Sequence, residues 1–396
     1  MRPVWAHCLS LYSCRPLDGL RLSAWEDVRS FFMHVRRSPR LARARVSVPR
    51  HFRTPRDMNT KQNDSVVEIA LAANDGYFDG LLVTACSIAR FADERRQLAF
   101  TILDGGIEEE KLAFLKSKVL AFHSRATLQA IRINEADLSA FPLFHGNRMA
   151  YARLLLPYLK PETKHIIYCD VDFLWMADIS ELWDLQDDSV PYQSTKDMVQ
   201  STIVFEREWF CRNAIPFNAD RYFCTGLSFF NLNAFREKGL TESICDFLRN
   251  HQDVLLADQT AMNALIGKDI GLLPQRWQII PRYVPDSIYD TPIVLHYAGE
   301  SPWSISNISK MITDTQLLWF RFDATIRGCT TWQSLRRYYS AMRIIGSRLT
   351  FKIIMATTVT RHLFYWFIKS LGRWKFKETI PRKRFREFMQ QLASNS

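Results

Sequence analysis

The sequence predicts an α/β domain built around a mainly parallel sheet, followed by a helical region rich in aromatic and basic residues. From residue 66 to about residue 305, short apolar segments alternate with segments of helical period. Alternation of this kind is typical of parallel sheets whose strands are joined by helices. Hydrophobic residues make up 47% of the 396 residues and charged residues 23%, a composition that excludes a disordered chain.

The predicted elements of this domain follow one another in a regular order. The apolar segment 66–73 ends at the turn Asn74-Asp75-Gly76, and a helical period then runs through residues 77–92. The order continues with a strand at 98–103, a helix at 108–121, a strand at 128–133, a helical segment at 148–159 and a strand at 165–169. Ligands bind at the carboxyl ends of parallel strands, so we expect the functional residues beside Asn74-Asp75 and Asp170-Val171-Asp172.

The two ends of the chain are basic, whereas the region between them is acidic. Residues 1–57 contain 12 arginines and 4 acids, and residues 332–396 contain 14 basic residues and 2 acids. The net charge of +11 therefore leaves −9 on residues 58–331. An anionic partner is expected to meet the ends. The acidic body and the lack of a recognition motif argue against nucleic acid as that partner.

Residues 1–57 are predicted to be a basic N-terminal extension outside the folded domain. Their arginine-rich composition shows no clear period, and it would suit a disordered segment or a transit peptide. A start codon assigned too early is the other explanation, since Met58 lies just before the first convincing strand. The eight cysteines contain no C-x-x-C pair and are expected to be free thiols in a reducing compartment.

Residues 306–396 are predicted to form a helical region that associates with a membrane. No run of 18 uncharged apolar residues occurs, so no transmembrane helix is predicted. Residues 349–371 instead mix aromatic and basic side chains, which suits the surface of an anionic membrane. A solvated helical hairpin packed on the α/β domain is the alternative. The expected location is cytoplasmic, peripheral on the inner face of the cytoplasmic membrane.

Asp170 and Asp172 are candidate metal ligands. Alternate residues of a regular strand point to opposite faces, but just past the end of the strand both carboxylates can reach one ion. Two carboxylates there form a hard oxygen site for Mg²⁺ or Mn²⁺. A solvated turn is the alternative interpretation of this short motif.

His296 is a third candidate ligand, because it ends the apolar segment 292–295. An imidazole would favour Mn²⁺ over Mg²⁺. Gly299, three residues later, would let the backbone approach a phosphate closely. A structural role is the alternative for a single histidine.

Two further positions carry side chains suited to a sugar or a phosphate. Asp258 precedes an apolar helical segment with Gln259, and it could either accept hydrogen bonds from sugar hydroxyls or cap the helix. Arg153 could pair with a phosphate or with a nearby acid.

Six ordered motifs within residues 66–305 resemble the retaining glycosyltransferase family of bacterial lipooligosaccharide galactosyltransferases, lipopolysaccharide core hexosyltransferases and glycogenin. In chain order the motifs are Asn74-Asp75-x-Tyr77, Tyr151-Ala152-Arg153-Leu154, Tyr168-Cys169-Asp170-Val171-Asp172, Gly226 with Phe229-Phe230-Asn231-Leu232, Asp258-Gln259 and His296-Tyr297-Ala298-Gly299-x-x-Pro302-Trp303. The aromatic, basic tail also resembles the membrane-attaching ends of the bacterial members.

This resemblance implies a GT-A fold over residues 66–305, in which a Rossmann-like nucleotide-binding sheet merges with an acceptor region. It implies retaining transfer of glucose or galactose from a UDP-hexose donor to an oligosaccharide or lipid-linked glycan acceptor, with lipopolysaccharide core preferred. It further implies a metal cofactor, Mn²⁺ with Mg²⁺ as the alternative.

The resemblance also assigns roles to individual residues. Asp170, Asp172 and His296 would hold the metal, and Asn74, Asp75 and Tyr77 would line the uridine pocket. Arg153 and Asp258 would hold the donor sugar, and Gln259 would lie beneath the anomeric carbon as the third catalytic residue. Asp197 matches an acceptor contact loosely. Further donor-binding contacts are expected from Val171, Thr225, Gly226, Gly299 and Ser301.

Three departures from the family pattern bear on the activity. The segment Glu300-Ser301 lacks a lysine that family members often carry there, Cys224-Thr225-Gly226 replaces Asn-Ala-Gly, and Asn74 replaces an acid. A catalytically impaired homologue that binds nucleotide or glycan is therefore the alternative to an active transferase. No second carboxylate is obviously placed as a nucleophile, which favours same-face attack supported by Gln259 over a glycosyl-enzyme intermediate.

Overall fold

The computed structural model describes residues 66–144, 146–280, 293–299, 301–304 and 314–338. All of them belong to one compact unit, residues 63–396. The predictions for the N-terminal extension and for the tail beyond residue 338 lie outside the described residues. None of the described helices is long and apolar enough to cross a membrane.

A seven-stranded sheet forms the centre of the described region. Its strand order is β3-β2-β1-β4-β7-β6-β8, and six of the strands run parallel to one another while β7 runs antiparallel. The strands are β1 (Val67–Ala73), β2 (Leu98–Asp104), β3 (Ala126–Arg132), β4 (His165–Cys169), β6 (Tyr192–Lys196), β7 (Phe223–Asn231) and β8 (Ile270–Leu272). The predicted α/β class with a mainly parallel sheet is therefore confirmed.

A second, two-stranded sheet lies beside the first. Its strands are β5 (Phe173–Met176) and β9 (Ile293–His296), which pair antiparallel with Phe173 opposite His296. Because only three residues separate the end of β4 from the start of β5, this pairing draws the end of β9 to the carboxyl end of β4. Residues about 125 positions apart in the chain are thereby brought together.

Helices cover both faces of the main sheet. The α-helices are α1 (Phe78–Phe91), α2 (Glu109–Phe122), α3 (Leu156–Leu159), α4 (Ile179–Trp183), α5 (Gln200–Arg212), α6 (Leu232–Glu237), α7 (Leu240–Asn250), α8 (Ala257–Ile266), α9 (Asp314–Arg327) and α10 (Thr331–Tyr338). One hydrophobic cluster joins the sheet to α1, α2 and α9, and another joins it to α7 and α8. Strands buried on both faces explain the nearly continuous apolar runs in the sequence.

The predicted helical segment 148–159 differs from the structure in its internal geometry. Residues Met149–Leu155 form a 3₁₀ helix, and only Leu156–Leu159 form an α-helix. Pro157 has no N–H with which to bond the Arg153 carbonyl, so that carbonyl instead accepts from the N–H of Leu156, one residue earlier. This tight turn fixes Arg153 against the sheet.

The carboxyl ends of β1, β4 and β6 meet at one edge of the sheet. Antiparallel β7 begins at the same edge, where Leu227 pairs with Cys169 and the Asp170 N–H donates to the Gly226 carbonyl at 2.7 Å. The candidate residues of β1, β4 and β7 therefore share this carboxyl edge, as the rule for parallel sheets predicts.

Candidate functional site

Asp170, Asp172 and His296 come together at the carboxyl edge. One potential ligand atom from each lies within 4.8 Å of the others, and no other group of three or more such residues is found in the described part of the chain. Asp172 Oδ1 lies 3.3 Å from His296 Nε2. This oxygen is buried and accepts no hydrogen bond of normal geometry from a described residue. An imidazole and two carboxylates, one of which has an oxygen without a hydrogen bond, form a ligand set that fits a divalent cation.

The His296 imidazole is held on several sides. The Phe173 ring stacks on it with centroids 4.2 Å apart, and the Gln278 side-chain amide lies 3.0 Å from Nδ1. A Cβ added to Gly226 would lie 2.8 Å from His296 Cε1, so only glycine leaves room for the ring. Burial opposes the charged imidazole, but Asp172 and the Cys224 thiol outweigh this and raise the pKa of His296 well above its ordinary value.

Arg153 neutralises the acidic residues around the candidate metal site. Its guanidinium donates to Asp170 Oδ1 at 2.6 Å and lies 3.4 Å from Asp258 Oδ2. It also donates to the Thr225 carbonyl at 2.5 Å and packs on the Tyr168 ring, 4.1 Å from the centroid. Of the two sequence interpretations, the structure shows the ion pair with nearby acids.

Burial changes the acidity of both carboxylates that face Arg153. It raises the pKa of Asp258 to about 6, although the Arg153 charge opposes the shift. The pKa of Asp170 is raised for the same reason, and the neighbouring Asp172 charge adds to the effect. The positive charge of Arg153 therefore favours the ionised form of both acids.

The Asp258-Gln259 pair lies in the first turn of α8. Leu256 is the N-cap residue, and its side chain makes no capping hydrogen bond, so the interpretation of Asp258 as the N-cap is wrong. Gln259 Oε1 accepts from the Thr225 N–H at 3.1 Å, while its Nε2 donates to Asp197 Oδ2 at 2.9 Å and to Tyr222 Oη at 3.3 Å. The amide is thus fixed between β6, β7 and α8.

The residues assigned to uridine lie at the end of β1. They differ in the hydrogen bonds and ion pairs that they form with other residues. Asn74 Oδ1 is buried and unpaired among the described residues, whereas Asp75 forms a 2.7 Å ion pair with Lys111 of α2. Burial, and then the charge of Asp172, raise the pKa of Tyr77, whose ring meets Trp303 edge-on with centroids 6.4 Å apart. Tyr77 therefore couples the predicted uridine pocket electrostatically to Asp172 of the candidate metal site.

The remaining residues predicted to bind the donor lie in backbone segments near the candidate metal ligands. The Val171 carbonyl accepts from Thr84 Oγ1 of α1 at 2.9 Å. Gly299 follows β9 with a φ of 71° and open space around its Cα, so it suits a close approach. The Ser301 carbonyl accepts from the Ser304 N–H at 3.0 Å and begins the short helix Pro302–Ser304. Glu300 lies outside the described residues.

Several residues that contact the site were missed by the sequence interpretation. Tyr222 and Gln278 carry no motif, and only tertiary contacts place them beside Gln259 and His296. Asn263 bonds both the N–H and the carbonyl of Phe223 at 2.9 Å, which docks α8 edge-on against β7. Glu206 left a detectable signal, because it occupies an apolar position of the helical period between Ile203 and Phe210.

Comparison with known proteins agrees with this architecture. General stress protein A of Bacillus subtilis strain 168 is 27% identical over 263 residues, which cover 61% of this chain and 89% of that protein. A putative glycosyltransferase of Haemophilus influenzae is 22% identical over 218 residues, covering 54% of this chain and 64% of the relative.

Two solved structures share the fold. The galactosyltransferase LgtC in complex with donor and acceptor sugar analogues has a TM-score of 0.55 and 22% identity, over 65% of this chain and 96% of that one. The bifunctional glycosyltransferase WbbM has a TM-score of 0.56 and 20% identity, over 69% of this chain and 52% of that one.

The sheet, with the candidate site at its carboxyl edge, has the GT-A fold. Residues 68–306 match the model of glycosyl transferase family 8, and the chain belongs to this family. The predicted resemblance to the retaining family and the predicted GT-A fold are both confirmed.

Proposed function

We propose that this protein transfers a hexose, glucose or galactose, from a UDP-sugar to a glycan acceptor with retention of configuration. The observation that carries the proposal is the convergence of Asp170, Asp172 and His296, whose ligand atoms lie within 4.8 Å of one another at the carboxyl edge. A nucleotide-sugar donor and a glycan acceptor agree with the donor and acceptor analogues bound by LgtC.

The proposed cofactor is Mn²⁺, held by Asp170, Asp172 and His296. A site of two oxygens and one nitrogen is hard enough for Mg²⁺, but the imidazole favours Mn²⁺. When bound, the cation neutralises negative charge on the diphosphate leaving group without any proton transfer. Arg153 lies against Asp170 and Asp258, and it is proposed to orient the donor sugar together with Asp258.

Gln259 is the proposed catalytic residue beneath the anomeric carbon. In the transfer, the bond from the anomeric carbon to the UDP oxygen breaks and its electron pair leaves with UDP. The acceptor hydroxyl forms the new bond on the same face, and its proton passes to the departing phosphate oxygen. The Gln259 amide is held by Thr225 and Asp197, so it can stabilise the oxocarbenium-like carbon without reorganisation.

UDP release by the purified protein tests this proposal. UDP-glucose and UDP-galactose are supplied in turn, with Mn²⁺ and with chelator, and the Asp170→Ala protein is run alongside. We expect release that requires Mn²⁺, favours one hexose and is lost in the variant. Release that is equal in chelator and in the variant would contradict the metal assignment.

The second candidate is a catalytically impaired homologue, favoured by the segment Glu300-Ser301, which lacks the lysine often found there. It predicts that the wild-type protein releases no UDP from either donor. Ser301→Lys distinguishes the two candidates. An increase in UDP release would support impairment, whereas unchanged activity would count against it.

The proposed acceptor is a lipid-linked glycan such as lipopolysaccharide core, and the proposed location is the inner face of the cytoplasmic membrane. The support is the charge pattern, since residues 332–396 carry 14 basic and 2 acidic residues among many aromatic ones. Co-sedimentation with vesicles tests it. We expect salt-sensitive binding to vesicles with anionic lipid, weakened when Arg382, Lys383 and Arg384 become glutamine. Equal binding to neutral vesicles would contradict the electrostatic part of the proposal.

A further inference from the structure

Glu206 is a fully buried acid that none of the roles above uses. It lies on the inner face of α5, where its Oε2 accepts from the Tyr222 hydroxyl at 2.8 Å and its Oε1 from the Thr260 hydroxyl at 3.1 Å. Burial raises its pKa to about 7, although both hydrogen bonds lower it. A buried carboxylate is energetically unfavourable unless its hydrogen bonds are satisfied, so its two partners matter.

The two hydrogen-bond partners of Glu206 contact either the Gln259 side chain or the backbone turn that carries it. Tyr222 Oη accepts from Gln259 Nε2 at 3.3 Å, so the first contact reaches the side-chain amide itself. Thr260 follows Gln259 in the chain, and its Oγ1 accepts from the Leu256 N–H at 3.0 Å. The second contact therefore reaches the backbone turn from which Gln259 projects. One carboxylate holds the catalytic amide from two directions.

The turn that Glu206 holds is strained. Ala257 has a φ of 50°, in the left-handed region, immediately before Asp258 and Gln259. This conformation is unfavourable for a residue with a Cβ, because the Cβ approaches the following carbonyl oxygen. Such strain persists only where the surrounding contacts over-determine the backbone. The Leu256–Thr260 bond and the 2.9 Å bond from the Gln259 N–H to the Leu256 carbonyl supply those contacts.

We propose that Glu206 is a positioning residue that keeps the strained turn 256–260 in place and thereby holds the Gln259 amide for sugar transfer. This inference rests on the proposed function of Gln259. Because Glu206 acts through Tyr222 and Thr260, its loss should lower the rate of the chemical step while leaving the binding of UDP and of the metal intact.

Steady-state kinetics of variants test the proposal. We expect Glu206→Ala to lower kcat about tenfold or more, with the Kd for UDP changed less than about twofold. Glu206→Gln can still bond both hydroxyls and should recover most of kcat. A kcat for Glu206→Ala close to wild type, or a loss seen equally in UDP binding, would overturn the proposal.

Asp323→Asn is the matched control, because Asp323 is also a fully buried acid. It accepts from the Ser334 hydroxyl at 2.6 Å and from Arg327 at 2.7 Å, in the C-terminal helices α9 and α10. We expect Asp323→Asn to lower the melting temperature without changing kcat. If Asp323→Asn lowers kcat as much as Glu206→Ala does, the effect of Glu206→Ala is explained by general destabilisation, and the proposal is overturned.

A double-mutant cycle with Ala257→Gly tests the link to the strained turn. Glycine adopts a positive φ without strain, so the turn then depends less on Glu206. We expect Glu206→Ala to lower kcat by a smaller factor in the Ala257→Gly protein than in the wild type. The same factor in both backgrounds would show that Glu206 does not act through this turn.

Hydrogen exchange separates failure of this inference from failure of the proposed function. We expect the amides of residues 256–260 to exchange about tenfold faster in Glu206→Ala and at the wild-type rate in Asp323→Asn. Unchanged exchange in Glu206→Ala would overturn the anchoring role whether or not the wild type is active. If the wild type proves inactive but residues 256–260 still exchange faster in Glu206→Ala, Glu206 does anchor the turn, and its proposed role in sugar transfer is refuted.

Discussion

Single residues around His296 determine where its imidazole lies. Phe173 covers one face of the ring, Gly226 leaves room at its edge, and Gln278 meets Nδ1. Nε2 is left to face Asp172 at 3.3 Å, the direction from which a metal would bind. Neighbours of this kind tune a metal ligand through its orientation, although they do not touch the ion themselves.

The space around Gly226 gives the first prediction. In Gly226→Ala the new Cβ would lie 2.8 Å from His296 Cε1 and 3.3 Å from Asp170 Oδ2, so two candidate ligands must move. We expect the Mn²⁺ affinity, measured by titration calorimetry, to fall about tenfold or more. Gly76→Ala is the control, since its Cβ makes only an ordinary 3.5 Å contact. Equal affinities for both variants and the wild type would refute the assigned ligand set.

The amide of Gln278 gives the second prediction. It lies between Thr195 Oγ1 and His296 Nδ1, at 3.0 Å from each. Gln278→Leu removes the hydrogen bond that orients the ring, and we expect Mn²⁺ affinity to fall about 10–100-fold. In Gln278→Glu a carboxylate oxygen can accept from Nδ1–H and leave Nε2 free for the metal, so this variant should bind Mn²⁺ at least as tightly as wild type. A leucine variant with unchanged Mn²⁺ affinity would show that the ring is held by packing alone.

At the scale of elements, helix α1 supports the loop that carries both aspartates. The Thr84 hydroxyl of α1 lies 2.9 Å from the Val171 carbonyl and 2.8 Å from the Phe173 carbonyl. The next polar residue on the same face, Ser87, accepts from the Trp175 N–H at 3.1 Å, further along β5. A single helix thus anchors the metal loop and the strand that follows it.

Thr84→Val should loosen this loop while keeping the shape of the side chain. The hydroxyl proton that the carbonyls of Val171 and Phe173 share is lost, so we expect the free energy of unfolding to fall by about 1–3 kcal/mol and Mn²⁺ affinity to fall as well. Ser87→Ala is matched to it, because its loss of stability should be similar while Mn²⁺ affinity stays at the wild-type value. Urea denaturation and calorimetry measure the two quantities. Equal loss of affinity in both variants would contradict the local role of Thr84.

The elements also show how far the sequence could predict the site. Local periods identified the strands that end at Asn74 and Asp170, and parallel pairing then places those ends together. The antiparallel direction of β7 and the contact between Gln278 and His296 depend on distant segments of the chain. No local period records such contacts, so Tyr222, Gln278 and Thr84 were missed although Asp170 and His296 were found.

For the whole molecule, the buried Glu206 makes stability depend on pH. Its pKa is raised from 4.5 to about 7, so between these values the folded protein binds a proton that the unfolded chain releases. The free energy of unfolding should therefore fall as pH rises through this range and level off above about pH 7. The neighbouring Asp197 charge contributes to the same shift.

Glu206→Gln should remove this part of the pH dependence. We expect the variant to be more stable than wild type at pH 8 by roughly 1–3 kcal/mol, with the difference shrinking as pH falls toward 5. Urea unfolding at four pH values between 5 and 8.5 measures it. Parallel stability curves for the two proteins would contradict the raised pKa. A more stable variant would also show that the natural acid lowers stability at a functional site.

The contact of Arg153 with Asp170 bears on whether the chain needs metal in order to fold. A permanent positive charge 2.6 Å from this carboxylate gives the acidic corner its own counter-ion. Small zinc domains, in contrast, remain unfolded until their metal arrives. We therefore expect the newly synthesised polypeptide to fold without bound metal, so that the supply of metal ion would limit the activity of the folded molecules and not how many of them fold.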